Sequence, residues 1–290
     1  MAYSARSVAA MTILVTGATG VVGRNVVARL LAAGQEVRAL TRSSTGLPAG
    51  VEVVHGDLAA PRAEWFRGVD RLYLFPAGAG EAAAVAARCG VRRIVDLSAA
   101  AVTIGLHDNP VERAVEETGV EWTHVRPAGF MANMLPVWAP SIRARRVVRY
   151  PFADEASVPV HEADVAAVAV AALLADGHAG RAYTLTGPAS ITNREQVAAI
   201  AAALGEDVRY EEVSREVARA ELRELGGFAA EYADLLLGFV DYDGGGSSGG
   251  GFSDDDYSAL LKPWPDVEVA TGRPARAYAR WARDHVADFA

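Results

Sequence analysis

Short apolar runs alternate with helically spaced apolar residues along the first half of the chain. Residues 12–15 form a short, β-branched run that is typical of a strand buried on both faces. After a turn, apolar residues recur at helical spacing at Val22, Val26, Val27, Leu30 and Leu31, and Gly34 ends the pattern. The pattern predicts a strand, a turn that contains glycines, and a helix.

The same alternation continues to residue 127. Strands are predicted at residues 36–41, 51–54, 72–75, 93–97 and 121–126, and helices at residues 61–66, 81–89 and 109–118. Short apolar strands separated by helices indicate an α/β fold with a doubly wound parallel sheet. In such sheets the ligand lies beyond the carboxyl ends of the strands.

Beyond residue 127 the order is less regular. Residues 130–142 are apolar and aromatic, and Pro136 and Pro140 are expected to break the segment. It either lines a hydrophobic pocket or belongs to the core. Further strands are predicted near Val147, near Val158, at residues 182–185 and within 208–213, and helices at residues 161–174 and 192–204, the last opened by a capping box of Thr192 and Glu195.

The charge and the composition argue against several classes of function. The net charge is −8 and the pI about 5.3, so a basic face for nucleic acid or anionic membranes is not expected. The single cysteine, Cys89, excludes an intramolecular disulfide and suits a reducing cytoplasm. No apolar run approaches the ~20 residues of a membrane span. A cytoplasmic location without a membrane partner is predicted.

Three glycines stand between the first strand and the first helix. Gly17, Gly20 and Gly23 follow one another at three-residue steps. In nucleotide-binding units such glycines form a tight turn, admit a pyrophosphate to the backbone and let the helix pack close to the strand. The helix N-terminus then offers free N–H groups and a positive dipole end to the phosphates. A plain glycine turn is the alternative.

The end of the second strand indicates which dinucleotide is bound. Arg42 comes about 20 positions after Gly23, where a carboxylate would bind the ribose of NAD and an arginine the 2′-phosphate of NADP. Ser43 and Ser44 follow it, and no acidic residue stands there. The planar guanidinium of arginine suits a phosphate because it bonds two oxygens at once. NADP(H) is therefore predicted, with a solvated loop arginine as the alternative.

Two regions are expected. Residues 11–150, with parts of 151–190, are predicted to form the cofactor domain, and residues 191–290 a smaller, mainly substrate-binding α/β region. Residues 1–10 are interpreted as a disordered extension, with Met11 a candidate for the true start. The Gly- and Ser-rich run at 241–251 is predicted to be flexible, as a lid over the pocket or as a disordered surface loop.

With these motifs in order, the chain resembles the NmrA-like, atypical branch of the short-chain dehydrogenase/reductase family, which has a Rossmann fold. TGATGVVG resembles its cofactor turn, ALTRS and HGDL its adenosine-binding segments, VDLSA its serine position and VEWTHVRPAGFMAN its nicotinamide-lining segment. The resemblance and the strand ends together give the predicted cofactor-binding residues: Gly17, Thr19, Gly20, Val21, Val22, Gly23, Arg42, Asp57, Leu58, Pro76, Ser98, Pro127 and Phe130.

One departure from the family affects the chemistry. Most members of the wider family carry a Tyr-x-x-x-Lys pair after the serine, whereas residues 101–117 contain neither Tyr nor Lys. Ser98 and His107 are the candidate catalytic residues, because a hydroxyl can donate a hydrogen bond and an imidazole can donate a proton near neutral pH. A solvated loop histidine is the alternative for His107. No metal site is predicted.

The sequence thus predicts an NADP(H)-dependent oxidoreductase, a ketoreductase or quinone reductase. Its expected substrate is apolar or aromatic and easily reduced, for example a quinone or a polyketide-like ketone of secondary metabolism, because such a substrate demands little acid catalysis. A redox sensor that binds NADP(H) without chemistry is the first alternative, and an isomerase or epimerase that uses the bound cofactor is the second. A monomer or homodimer is expected.

Overall fold

The computed structural model describes residues 10–42, 46–76, 79–240 and 261–290. The strands are β1 Thr12–Thr16, β2 Glu36–Thr41, β3 Val51–His55, β4 Arg71–Leu74, β5 Arg93–Leu97, β6 Glu121–Pro127, β7 Val147–Tyr150, β8 Ala156–Ser157, β9 Arg181–Leu185, β10 Ile191–Thr192 and β11 Arg209–Glu212. Two 3₁₀ helices span Ala63–Phe66 and Met131–Met134.

The α-helices fill most of the intervening chain. They are α1 Gly23–Ala32, α2 Gly80–Arg88, α3 Ala100–Thr103, α4 Pro110–Glu116, α5 Leu135–Arg145, α6 Glu162–Leu174, α7 Asn193–Leu204, α8 Arg215–Leu225, α9 Gly227–Glu231, α10 Ala233–Leu236, α11 Asp266–Thr271, α12 Tyr278–Asp284 and α13 Val286–Phe289. Most of the predicted strands and helices are present, with ends that differ by a few residues.

A seven-stranded sheet organises the first part of the fold. Its strand order is β3-β2-β1-β4-β5-β6-β9, and every pairing from β3 to β6 is parallel. The order reverses beside β1, which makes the carboxyl ends of β1 and β4 the point where doubly wound sheets bind ligands. The predicted α/β fold with a doubly wound parallel sheet is confirmed.

The first compact unit contains the described residues up to Ala99 together with Asn109–Arg126 and Glu162–Tyr183. Its core is apolar and includes the buried side chains of Leu14, Phe66, Leu72 and Ile94. Arg93 is also buried, and its guanidinium donates to the carbonyls of Ala172 and Ala175 at 3.1 and 2.5 Å. These carbonyls lie at the end of α6, where helices leave acceptors without a helical partner. The buried arginine therefore caps that helix.

The second compact unit contains Ala100–Asp108, Pro127–His161 and the described residues from Thr184 onward. Strands β7 and β11 pair in parallel and β8 pairs with β10 antiparallel. The core of this unit is built around the buried aromatic residues Trp138, Trp281 and Phe289. Helix α7 begins with the predicted capping box, in which Thr192 and Glu195 each bind the other's backbone N–H.

The expectation that Pro136 and Pro140 break the chain between residues 130 and 142 is wrong. Helix α5 runs through both prolines. Pro136 lies in the first turn, where no helical partner is required for the backbone N–H. Pro140 lies inside the helix, but the helix buries Trp138 and Ile142 in the core of the second unit. Tertiary packing thus overrides the local preference of proline.

Within the described ranges, no helix is both long enough and apolar enough to cross a membrane.

Candidate active site

The turn between β1 and α1 packs its backbone tightly. Gly17 has a φ of +61°, a conformation that glycine adopts without steric cost. The N–H of Gly20 donates to the carbonyl of Gly17 at 3.0 Å. A Cβ on Gly23 would lie less than 3.0 Å from that same carbonyl oxygen. The tight turn and the close helix contact predicted for these glycines are therefore both present.

The N-terminus of α1 suits an anion. The helix has no side-chain cap and no acidic residue in its first turn, so neither of these offsets the positive end of its dipole. Thr19, Gly20 and Val21 are exposed on the turn, whereas Val22 and Gly23 are buried beneath it. Exposed backbone at a helix N-terminus is the arrangement that binds a pyrophosphate. These residues fit the phosphates of a dinucleotide.

Phe75 also lies against this turn, although it is not among the site residues predicted from the sequence. Its N–H donates to Thr16 Oγ1 at 2.6 Å, and Thr16 Oγ1 donates to the Tyr73 carbonyl at 3.1 Å. These bonds join the ends of β1 and β4. The Phe75 side chain is 41% exposed, and its Cβ and Cγ lie 3.1 Å from where a Cβ on Gly17 would be. The signal in the sequence that could have identified it is an aromatic residue directly at the end of an apolar strand.

Two of the predicted adenosine-binding residues are exposed at strand ends. Arg42 directly follows β2, and Asp57 follows β3 by two residues. The Asp57 Oδ1 accepts the N–H of Ala59 at 3.0 Å, which fixes the carboxylate in a local turn. The side chain of Leu58 is buried in the core, so only its backbone is available to a ligand. Ser43 and Ser44 lie outside the described residues.

The remaining predicted cofactor residues also follow strands. Pro76 lies two residues after β4 and is half-buried, and its carbonyl accepts the N–H of Ala79 at 3.2 Å. Pro127 ends β6 and is buried. Phe130 is half-buried and forms an isolated bridge with Val160 within the second unit. Their contact with a cofactor stays a prediction.

Ser98 lies at the centre of a hydrogen-bond network in the first unit. Its N–H donates to the Val125 carbonyl at 2.7 Å, which fixes the backbone at the end of β5. Its Oγ accepts a hydrogen bond from Asn109 Nδ2 at 2.8 Å. Asn109 is the N-cap of α4, and its Oδ1 accepts the N–H of Val111 at 2.9 Å. Because Oδ1 of Asn109 accepts the hydrogen bond from Val111, it is the Nδ2 side of the amide that faces Ser98.

Glu112 follows the N-cap Asn109 by three residues in α4, and the nearby hydroxyl of Ser98 contributes to lowering its pKa. Glu112 is buried, and Arg126 binds it in a bidentate pair with distances of 2.9 and 2.6 Å. Burial alone would raise the pKa of Glu112, but hydrogen bonds from Arg126 and Ser98 and the charge of His124 lower it below its ordinary value. Glu112 is therefore a carboxylate at neutral pH. Sequence reasoning missed Asn109, Glu112 and Arg126.

A second buried pair lies beside this network. His124 Nδ1 and Asp96 Oδ1 are 2.6 Å apart, and His124 Nε2 lies 3.2 Å from Glu116. Burial raises the pKa of Asp96. Burial opposes the charge on His124, but hydrogen bonding to Asp96 and the nearby carboxylates raise the pKa of His124. The pair therefore retains a proton between its two rigidly held members.

Asp96, Glu112 and His124 each place one potential metal-ligating atom within 4.8 Å of the others. Asp96 Oδ2 is buried without a hydrogen-bond partner, but the candidate ligand atoms of Glu112 and His124 are already engaged. Arg126 occupies the carboxylate of Glu112, and both ring nitrogens of His124 are engaged by carboxylates. A divalent cation would have to displace these bonds, so the geometry favours a proton-sharing cluster over a metal site.

The other predicted features are less informative. His107 is half-buried in the loop after α3 and belongs to the second unit. Met131, Trp138 and Ile142 are buried in the core of the second unit, which favours the core interpretation of residues 130–142. The Gly-rich run at 241–251 lies outside the described residues. The catalytic roles of Ser98 and His107, and the assignment of residues 191–290 to substrate binding, stay predictions.

Comparisons with known proteins agree with this geometry. The model of the NmrA-like family matches residues 9–236. The chain is 41% identical to a (4-alkanoyl-5-oxo-2,5-dihydrofuran-3-yl)methyl phosphate reductase of Streptomyces griseus, with 96% of this chain and 99% of the relative covered. It is 33% identical to an NAD(P)H azoreductase of Xenophilus azovorans, again covering 96% and 99%.

A solved structure has the same fold. The NADPH-dependent quinone oxidoreductase of Escherichia coli superposes with a TM-score of 0.73 at 24% identity, over 94% of this chain and 98% of that one. This likeness shows that the two proteins share a fold over almost their whole length.

Proposed function

The chain belongs to the NmrA-like family, and from this premise we propose that it is an NADPH-dependent reductase of electron-poor, conjugated substrates. The observation that carries the proposal is the glycine turn, in which Gly23 must lack a side chain and α1 presents an uncapped N-terminus. Both features suit a pyrophosphate and serve no other evident purpose at the carboxyl end of β1. The reductase relatives, each of which covers 96% of the chain, support the same cofactor class.

The choice of NADPH rests on Arg42. Its position directly after β2 is where the 2′-phosphate of NADP would lie, and it is exposed. Asp57, exposed after β3, is the proposed adenine contact. No acidic residue within the described part of the β2 end replaces Arg42 as a partner for the ribose of NAD.

The substrate class follows from chemistry that the relatives share. The furanone named for the Streptomyces enzyme has a C=C bond conjugated to both a ring carbonyl and an alkanoyl carbonyl. An azo compound has an N=N bond conjugated to its substituents. In both, the negative charge that follows hydride addition is spread over several atoms. We assign this chain the same class, which includes quinones and conjugated, polyketide-like ketones.

The protein residues match such a substrate. Residues 101–117 contain no Tyr and no Lys, so the usual proton-donating pair of the wider family is absent. A delocalised product anion is a weak base and does not require a strong acid in the transition state. Bound NADPH would supply the hydride for such a reduction and become NADP⁺, and the product anion would take its proton from water. The protein mainly binds and orients the two reactants.

NADPH oxidation by the purified protein tests the proposal. The panel contains a naphthoquinone, an azo dye, an acyl-substituted butenolide phosphate and, as an unactivated control, cyclohexanone. We expect turnover with at least one of the first three and none with cyclohexanone. Turnover of cyclohexanone at a comparable rate would contradict the substrate class.

The missing Tyr and Lys also suit a protein that binds NADP(H) without reducing anything, as a redox sensor does. Tight NADPH binding with no oxidation on any member of the panel would support that function instead. Absence of binding to either dinucleotide would overturn both.

A further inference from the structure

The second unit has an open groove of its own, with a volume of about 460 Å³. Helices α5 and α8 form its two walls, and strand β7 contributes to its floor. Its larger apolar side chains are those of Val137, Trp138, Val148, Leu222 and Leu225. Of the described residues that line it, none belongs to the glycine turn or to the Ser98 network. The proposed reduction therefore leaves this groove without a role.

Helix α8, one of the two walls, is apolar on two of its faces. Ala218 and Leu222 are buried in the core of the second unit. Val217 and Leu225 lie on a second face, where their exposed fractions are 41% and 45%. These two residues are separated by two four-residue steps along the helix, which places them on the same side of it. The helix needs only its first apolar face to pack on its own core, so the second face is available to a partner.

The charges that line the groove are only partly paired. Of the described lining residues, four are charged, namely Arg145, Arg149, Glu221 and Glu224. Arg149 and Glu221 neutralise each other, because Arg149 Nε donates to Glu221 Oε1 at 3.0 Å.

The other two charges have no such partner. Arg145 is the last residue of α5, and its guanidinium donates to Ser141 Oγ at 3.2 Å, but within the described ranges no carboxylate pairs with it. Glu224 is exposed near the end of α8 and likewise has no cationic partner in the part of the chain that the structure describes. The groove thus carries a positive charge on its α5 wall and a negative charge on its α8 wall.

Opposite charges on the two walls favour a second copy of the chain as the occupant. In a two-fold symmetric dimer the same surface meets itself, so every contact of one residue with another occurs twice. A second copy turned about such an axis across the groove brings Glu224 of each copy to Arg145 of the other. It also gives the exposed Leu225 an apolar wall to cover. A partner surface of a single charge sign would repel one of the two walls.

We propose that α5 and α8 form the interface of a homodimer, in which Arg145 of each copy pairs with Glu224 of the other and Leu225 packs into the facing groove. This inference goes beyond the proposed reductase function and does not depend on it. All three residues belong to the second unit, and none of them is assigned to the cofactor or to the reduction.

Sedimentation equilibrium of the full chain, over a wide range of protein concentration, tests the interface. The wild type should dimerise, and Leu225→Asp should raise the dissociation constant of the dimer by about thirtyfold or more, because it removes a central apolar contact and places a charge there. Val269→Asp is the matched control. Val269 is 67% exposed on α11 and does not line the groove, so this variant should dimerise as the wild type does.

A mixture of two charge variants tests the reciprocal pairing. Arg145→Glu alone brings two acidic side chains together at each contact, and Glu224→Arg alone brings two basic ones together, so each variant should dimerise about tenfold or more weakly. When the two variants are mixed, both contacts of the heterodimer join opposite charges. Labelling one variant with a fluorophore and following it in the sedimentation experiment should show that the mixture associates nearly as tightly as the wild type.

Three results would overturn the inference. One is a wild-type protein that stays monomeric at every concentration. Another is a dimer that Leu225→Asp and both charge variants leave intact, since its interface would then lie elsewhere. The third is a mixture of the two charge variants that associates no better than either variant alone.

Urea denaturation shows whether each variant is folded. Arg145, Glu224 and Leu225 are all exposed, so their substitution should leave the stability of the monomer close to that of the wild type. If Leu225→Asp nevertheless fails to fold, the two charge variants and their mixture decide the question alone.

Discussion

The glycine turn and the Ser98 network lie at carboxyl ends of strands in the same sheet, but they are built in different ways. The turn relies on backbone and on the absence of side chains, since Gly23 packs directly on Gly17. The network relies on side chains at the end of β5, at α4 and on β6, most of them fixed by another: Asn109 holds Ser98, and Arg126 holds Glu112. The glycine turn should therefore be most sensitive to an added side chain, and the Ser98 network to the loss of one partner of a pair.

The largest expected effect is that of Gly23→Ala. The new Cβ would collide with the carbonyl of Gly17. Its nearest neighbours are all backbone atoms, of Gly17 and Ala18, which cannot move aside as a flexible side chain could. We expect a loss of about 3 kcal/mol in the free energy of unfolding. The affinity for NADPH should also fall by much more than tenfold. Urea denaturation measures the loss of stability, and isothermal titration calorimetry measures the loss of affinity.

Gly80→Ala is the matched control for this change. The new Cβ would meet Ala114 at 3.7 Å, an ordinary contact, at the start of α2. Stability should stay the same or rise slightly, by less than about 1 kcal/mol. Equal destabilisation by both substitutions would show that the glycine turn has no special packing requirement.

The next largest effect should come from Arg126→Met, which removes a partner from the network. It leaves the buried Glu112 carboxylate without its bidentate donor. The free energy of unfolding should fall by about 3 kcal/mol, at the lower end for buried pairs because Arg126 keeps a fifth of its side chain exposed.

The double variant Arg126→Met with Glu112→Met sharpens this result. Because it removes both charges, most of the lost stability should return, as measured by urea denaturation. A single variant as stable as the wild type would mean that the Arg126–Glu112 pair does not hold the network.

The smallest effect concerns pH. The pKa of Glu112 is lowered in the folded protein from its ordinary value of 4.5. A lowered carboxyl pKa contributes stability that is present above about pH 4.5 and is lost as the pH falls through the folded-state pKa. Urea denaturation at pH 7 and at pH 4 should therefore show a smaller acid-induced loss for Glu112→Gln than for the wild type. An equal loss would assign the acid sensitivity to other groups.

The two regions also differ in how far the sequence predicts them. The glycine turn, α1 and the capping box at Thr192 are local, so residues a few positions apart determine them. The partners of Ser98 come from α4 and β6 and are brought together only by the parallel pairing of β5 with β6. Its position at a strand end, together with the family resemblance, therefore indicated the serine but not its partners.

A signal for the network was nevertheless present. Asp96 and Ser98 occur at alternate positions at the end of an apolar strand, and His124 and Arg126 do the same on the next strand. Alternate residues lie on one face of a sheet, and Asp96 is paired in register with His124. Polar residues in this pattern on two buried strands predict a shared polar cluster. Helix α5, in contrast, had no such signal, because only packing in the second unit explains its tolerance of Pro140.

Titration of the purified protein with NADPH and with NADH, for the wild type and Arg42→Ala, tests the central claim most directly. The account predicts that the wild type prefers NADPH by roughly tenfold or more, about 1.4 kcal/mol, and that the variant loses this preference while still binding NADH. Absence of binding to either dinucleotide would contradict the cofactor assignment, and an unchanged preference in the variant would contradict the role of Arg42.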